Sequence, residues 1–125
     1  MVFERVCLEH VPQIKAALGI SGVHTEAGAW QCAPDPEEGI YGSQVDLLIV
    51  RKDQVINLCE MKYSESGYIV NAEFNRNQKR KISDFRKKTG TRYAIHSTLI
   101  TTYEIEPNQY TGNLQAIITA EDLFR

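Results

Sequence analysis

Three consecutive stretches decide the fold: Gln44-Val45-Asp46-Leu47-Leu48-Ile49-Val50-Arg51, then Lys52-Asp53-Gln54, then Val55-Ile56-Asn57-Leu58-Cys59-Glu60-Met61-Lys62-Tyr63. The two flanking runs are rich in β-branched and aliphatic residues, and the three polar residues between them suit a tight reversal. The whole therefore predicts a β-hairpin. Alternation assigns Leu48, Val50, Ile56 and Leu58 to one face and Val45, Leu47, Ile49, Val55, Cys59 and Met61 to the other. Strands apolar on both faces are buried on both faces, so helices are expected on either side of this sheet.

Upstream, Phe3, Val6, Cys7, Ile14 and Leu18 recur at helical period from Val2 to Leu18. Pro12 cannot sit in a straight helix interior, so it kinks this helix or begins a second one. Gly19 is a C-terminal stop. Val23 to Cys32 alternates loosely and reads as a strand, followed by the proline-broken polar loop Pro34 to Gly39. Downstream, Phe74, Gln78, Ile82 and Phe85 fall at helical spacing between about Asn71 and Thr89, and Gly90 closes that helix. Tyr93 to Thr101 reads as a further strand, Leu114 to Thr119 as another, and Ala120 to Phe124 as a short final helix. The order helix, three strands, helix, then one or two strands predicts an α/β sandwich around a mixed sheet. At 125 residues the chain is expected to form one domain over residues 1–125.

Composition narrows the function classes. With 42% hydrophobic residues the chain is too apolar to be disordered, and no apolar run approaches the roughly 18 residues of a membrane helix. The mixed charge of Met1-Val2-Phe3-Glu4-Arg5 is unlike a secretion signal. Cys7, Cys32 and Cys59 are odd in number and lack CxxC spacing, which argues against a disulfide framework or zinc site and for a reducing cytoplasm. The net charge of −2 hides an asymmetry. Residues 76–92 carry Arg76, Lys79, Arg80, Lys81, Arg86, Lys87, Lys88 and Arg92 against the single acid Asp84, a balance of +7, leaving −9 for the rest. Such a segment is either a phosphate-binding face or simply a solvated helix face.

Asp46, Glu60 and Lys62 lie within apolar strands, where a charge is costly unless it pairs or holds a metal. If the hairpin loop is Lys52 to Gln54, partner numbers add to 106 and Asp46 faces Glu60. Opposed residues share a face with Cβ atoms about 5 Å apart, and Lys62, two residues on, shares it too. Two adjacent carboxylates repel unless a cation lies between them, and oxygen-only ligation favours Mg²⁺ or Mn²⁺. The competing reading is a buried ion pair of Lys62 with Asp46 or Glu60, which leaves one carboxylate without a partner.

This arrangement resembles the PD-(D/E)XK nuclease superfamily: Gly42-Ser43-Gln44-Val45-Asp46, thirteen residues, then Glu60-Met61-Lys62. Val45 stands where the family name has proline. More narrowly, Gly42 to Ile49, Ile56 to Ser64 and Leu99-Ile100-Thr101-Thr102-Tyr103 resemble the C-terminal nuclease-like domain of prokaryotic AAA-type ATPases. The resemblance implies a restriction-endonuclease-like three-layer sandwich with an αβββαβ core. It implies that Asp46 and Glu60, with the Met61 carbonyl, hold the metal, and that Lys62 serves the attacking water. A further carboxylate from the first helix is implied, for which Glu4 is the candidate and Glu9 the fallback. An ATPase module in cis or trans is the implied partner, and a homodimer suits an enzyme that cuts both strands. No GxxxxGK[ST] loop is present in the sequence itself.

The expected activity is metal-dependent hydrolysis of DNA, with Arg76, Lys79, Arg80, Lys81 and Lys87 on the phosphate backbone. The alternative is a non-catalytic module of the same fold that binds nucleic acid or docks an ATPase. Other side chains admit two readings each. Gln78 either packs in the core or faces the site. Ser64 touches a phosphate or ends the strand. Trp30 and Tyr41 stack on a base or pack internally. His10, His24 and His96 have no spacing that suggests a metal site.

Overall fold

A computed structural model describes residues 2–124 of the chain. The first helical stretch is two helices, α1 (Val2–Glu9) and α2 (Val11–Ala17), broken at His10. Pro12 occupies the first turn of α2, where its missing N–H has no intrahelical partner to lose. Then come β1 (Thr25–Cys32), β2 (Ser43–Arg51), β3 (Val55–Lys62), α3 (Ala72–Thr89), β4 (Ala94–Thr101), β5 (Ala116–Thr119) and α4 (Ala120–Leu123). The five strands form one sheet in chain order. β1–β2 and β2–β3 pair antiparallel, whereas β3–β4 and β4–β5 pair parallel. Parallel neighbours need a crossover, and α3 supplies the one between β3 and β4. Asn71 caps its start by accepting the Phe74 N–H at 2.9 Å, and Gly90 at φ +66° ends it.

The hairpin register is the expected one. Leu47, Leu48, Ile49 and Val50 pair with Cys59, Leu58, Asn57 and Ile56. The reversal places Gln54 at φ +66°, its N–H bonded to the Arg51 carbonyl at 3.1 Å. Helices cover both faces. Phe3, Cys7 and Ile14 of α1 and α2, with Leu123 of α4, pack on Leu47, Ile49, Cys59 and Met61. On the other face Phe85 of α3 packs on Val45, Leu48, Ile56 and Leu58, and Phe74 packs on Leu99.

Val45 departs from simple alternation. It was expected beside Leu47 and Ile49 but packs with Leu48 under α3. The cause is a bulge: Gly28 pairs with Leu48 and Trp30 with Val45, so Asp46 and Leu47 together oppose Ala29 alone. An extra residue resets the inward–outward alternation and bends the strand. It falls at Asp46. Among the described residues no helix is long and apolar enough to cross a membrane.

Candidate active site

The β2–β3 register ends at Leu47↔Cys59, while the β3–β4 register continues to Lys62↔Thr101. β2 therefore departs from β3 one position before Asp46 and Glu60 would meet, at the bulge. A cleft of about 630 Å³ opens at this fork, walled by the start of β2, the end of β3 and α3. Glu60, Lys62, Gln78, Arg80 and Lys81 all line it.

Glu60 projects from β3 opposite Cys59 and Met61, whose side chains are in the core beneath α1. Its Oε2 accepts a hydrogen bond from Lys81 Nζ at 2.8 Å, and Lys62 Nζ stands 3.8 Å from Oε1. The Lys62 side chain is 39% exposed against 22% for Lys81, so Lys62 is the looser and wetter of the two ammoniums. Burial, and then the nearby carboxylates of Glu60 and Glu73, push the Tyr68 phenol above its usual 10.0. Tyr68 thus remains a hydroxyl donor on the cleft wall.

The structure gathers Glu60, Lys62, Arg80 and Lys81, and disperses the other expected residues. Asp46 is half-buried and accepts from the Gln44 amide at 2.9 Å; Gln44 lines the cleft, but Asp46 does not. Glu4 is half-buried on α1, the helix packed on the opposite face, and Glu9 on the same helix is exposed. Arg76 and Lys79 are exposed on α3 outside this cleft, and Lys87 is bonded to the Gly39 carbonyl at 2.9 Å. Of the basic residues of α3, only Arg80 and Lys81 line the cleft.

The paired readings resolve individually. Trp30 packs edge-on against Phe85 at 5.0 Å, a core contact. Tyr41 is 59% exposed at the cleft rim, with the Arg80 guanidinium 5.0 Å above its ring. Gln78 satisfies both of its readings: it is buried, donates to Ser97 Oγ at 3.1 Å, and lines the cleft. Ser64 terminates β3 in a mutual bond with Thr102, donating its N–H and accepting at its carbonyl.

One organising residue was missed. Asp84, read only as the single acid among eight cations, is fully buried. Its carboxylate accepts from the Tyr41 N–H at 2.9 Å and the Ser43 hydroxyl at 2.5 Å, tying the rim segment to α3. An acid beside the apolar stripe residue Phe85 was the available signal; its partners, more than forty residues earlier, left no local trace.

The donor set is compatible with a hard divalent cation, in that Glu60 and Asp46 offer only oxygens on adjacent strands. Among the described residues, no three His, Cys, Asp or Glu side chains gather closely enough to hold an ion, so main-chain or water oxygens would complete the shell. Lys81 already occupies one face of Glu60 and would have to yield.

No family model matches the sequence, and no curated protein matches it. The chain is similar in fold to a crystal structure described as a protein of unknown function, AF1548. The TM-score is 0.61 at 10% identity over 98% of this chain. The chain spans 65% of the length of that protein. The likeness concerns the fold alone.

Proposed function

We propose that the chain hydrolyses DNA phosphodiester bonds with the help of Mg²⁺ or Mn²⁺, on a restriction-endonuclease-like core of the PD-(D/E)XK type. The observation that carries this reading is the fork. It presents Glu60 and Lys62 on an apolar strand toward two cations of α3, while Asp46 stands on the neighbouring strand at the bulge, bonded to the cleft-lining Gln44. Glu60 and Asp46, with the Met61 carbonyl, would hold the metal, which supplies Lewis acidity toward a phosphoryl oxygen. Lys62, exposed and only 3.8 Å from Glu60, orients the attacking water and stabilises charge developing on the phosphate. Arg80 and Lys81 take phosphate oxygens, and the Tyr68 hydroxyl donates to another. Glu4 has no part in this scheme. A homodimer in the cytoplasm and an ATPase module in cis or trans fit the same reading.

A second reading is favoured by one observation. Glu60 is neutralised by Lys81, and Asp46 is engaged by Gln44 rather than lining the cleft. This is how a module that binds nucleic acid or docks an ATPase without cutting would look. Nicking of supercoiled plasmid in Mg²⁺ or Mn²⁺ separates the two. Hydrolysis predicts nicking by the wild type and its loss, by about 100-fold or more, in Asp46→Ala and Lys62→Ala. Equal nicking by all three proteins marks a contaminant, and no nicking by any of them favours the binding module.

A further inference from the structure

Tyr41 borders two cavities. On one side is the basic cleft; on the other is a pocket of about 580 Å³, within the roughly 300–1,000 Å³ of small-ligand sites. The second pocket is lined by Gln31, Cys32, Ala33 and Pro34 together with Tyr41 to Gln44, and none of these side chains is charged. The segment Tyr41-Gly42-Ser43-Gln44 is the wall common to both.

That wall is held firmly. Asp84 fixes the Tyr41 N–H and the Ser43 hydroxyl from within α3. Gly42 adopts φ +92°, and a Cβ there would lie 2.8 Å from Pro34 Cγ, so the turn is closed down on Pro34. The result is an aromatic ring 59% exposed on a backbone that is over-determined. An exposed side chain gains little from such rigidity in the free protein. It gains much if a ligand must meet a preorganised surface.

We infer that the chain engages an unpaired nucleotide of single-stranded DNA, its phosphate in the basic cleft and its base in the neutral pocket against Tyr41. This rests on the nucleic-acid reading of the cleft. Charge divides the two cavities: in the cleft Lys62, Arg80 and Lys81 outnumber Glu60 and Glu73 and suit a phosphate, whereas an uncharged pocket with an aromatic wall and the Gln31 and Gln44 amides suits a base. A base inside a duplex cannot present its face to Tyr41 or its pairing edge to those amides, so the base must be unpaired.

Fluorescence anisotropy in EDTA, where nothing is cleaved, tests this with three probes of equal length, about 12 nucleotides each. They are oligothymidylate, its abasic counterpart with the same phosphates, and a blunt duplex. The wild type should bind oligothymidylate at least about 5-fold more tightly than the abasic strand. Tyr41→Ala should weaken oligothymidylate binding roughly 5- to 100-fold and by a clearly larger factor than abasic binding, which feels only the loss of the ring beneath Arg80, while Tyr41→Phe retains the stack. Equal affinity of the wild type for oligothymidylate and abasic strand, or for oligothymidylate and duplex, overturns the base pocket and leaves the phosphate-binding cleft standing. Failure to bind any probe at low salt overturns both. The wild-type comparison needs no variant to fold.

Discussion

Asp84→Ala is the substitution whose effect follows most directly from the geometry. The carboxylate has no solvent exposure and accepts from the Tyr41 N–H at 2.9 Å and the Ser43 hydroxyl at 2.5 Å. A hydrogen bond to a charged group contributes about 1.5–3 kcal/mol, and removing one partner leaves a donor unsatisfied. Relief of the buried charge's desolvation offsets part of this, so a net loss of about 2–4 kcal/mol is expected. Unfolding entropy near 2.1 cal/mol/K per residue over 125 residues amounts to about 0.26 kcal/mol/K, so Tm should fall by about 8–15 °C. Asp84→Asn keeps an oxygen for the Tyr41 N–H and can donate to the Ser43 hydroxyl, so its loss should be about half as large. Scanning calorimetry with urea denaturation measures both variants, and hydrogen exchange at the Tyr41 amide reports the rim directly. If Asp84→Ala lies within about 0.5 kcal/mol of the wild type with the Tyr41 amide still protected, Asp84 is not what holds the rim.

Three further outcomes are expected. Lys81→Met removes the ammonium bonded to Glu60 at 2.8 Å, so Mn²⁺ should bind about 3- to 10-fold more tightly by calorimetry; unchanged affinity would show that Lys81 and the metal do not compete. Burial, the largest cause in each case, pushes the Cys7 and Cys59 thiols from 9.0 to about 12, whereas Cys32 is only half-buried. In the native protein iodoacetamide should therefore modify Cys32 first, and all three only in denaturant, as mass spectrometry would count. The same shifts give stability a sign. The folded state retains two protons that the unfolded chain releases above pH 9, so their contribution is fully present below pH 9 and lost as pH rises toward 12. Urea titrations that show stability rising over pH 9–10.5 would contradict the burial of these thiols.

Much of the fold was legible in the sequence. Loop length and alternation within twenty residues specify the hairpin register, because a one-residue slip would put charges into both cores. Asn71 and Gly90 bracket α3 by chemistry that acts within one turn. Glu60 and Lys62 announced themselves as charges in apolar company, and they do line the cleft together. Asp46 announced itself in the same way, yet its placement followed a bulge that no glycine or proline of β2 marks, Gly28 standing beside it on β1. That bulge arises from pairing with β1, a strand some fifteen residues earlier, and alternation within β2 cannot register it.

Local periodicity, caps and turn length therefore determined the strands, the helices and the hairpin of this protein, since each acts between residues close along the chain. Tertiary structure alone decided that Lys81 rather than Lys62 makes the short bond to Glu60, and that Asp84 anchors the rim. It also turned Arg80, but not Arg76, toward the cleft. These depend on how α3 lies across the sheet. That is set by the packing of Phe74 and Phe85 on two separate apolar clusters, and burial of apolar area carries no directional code in the sequence.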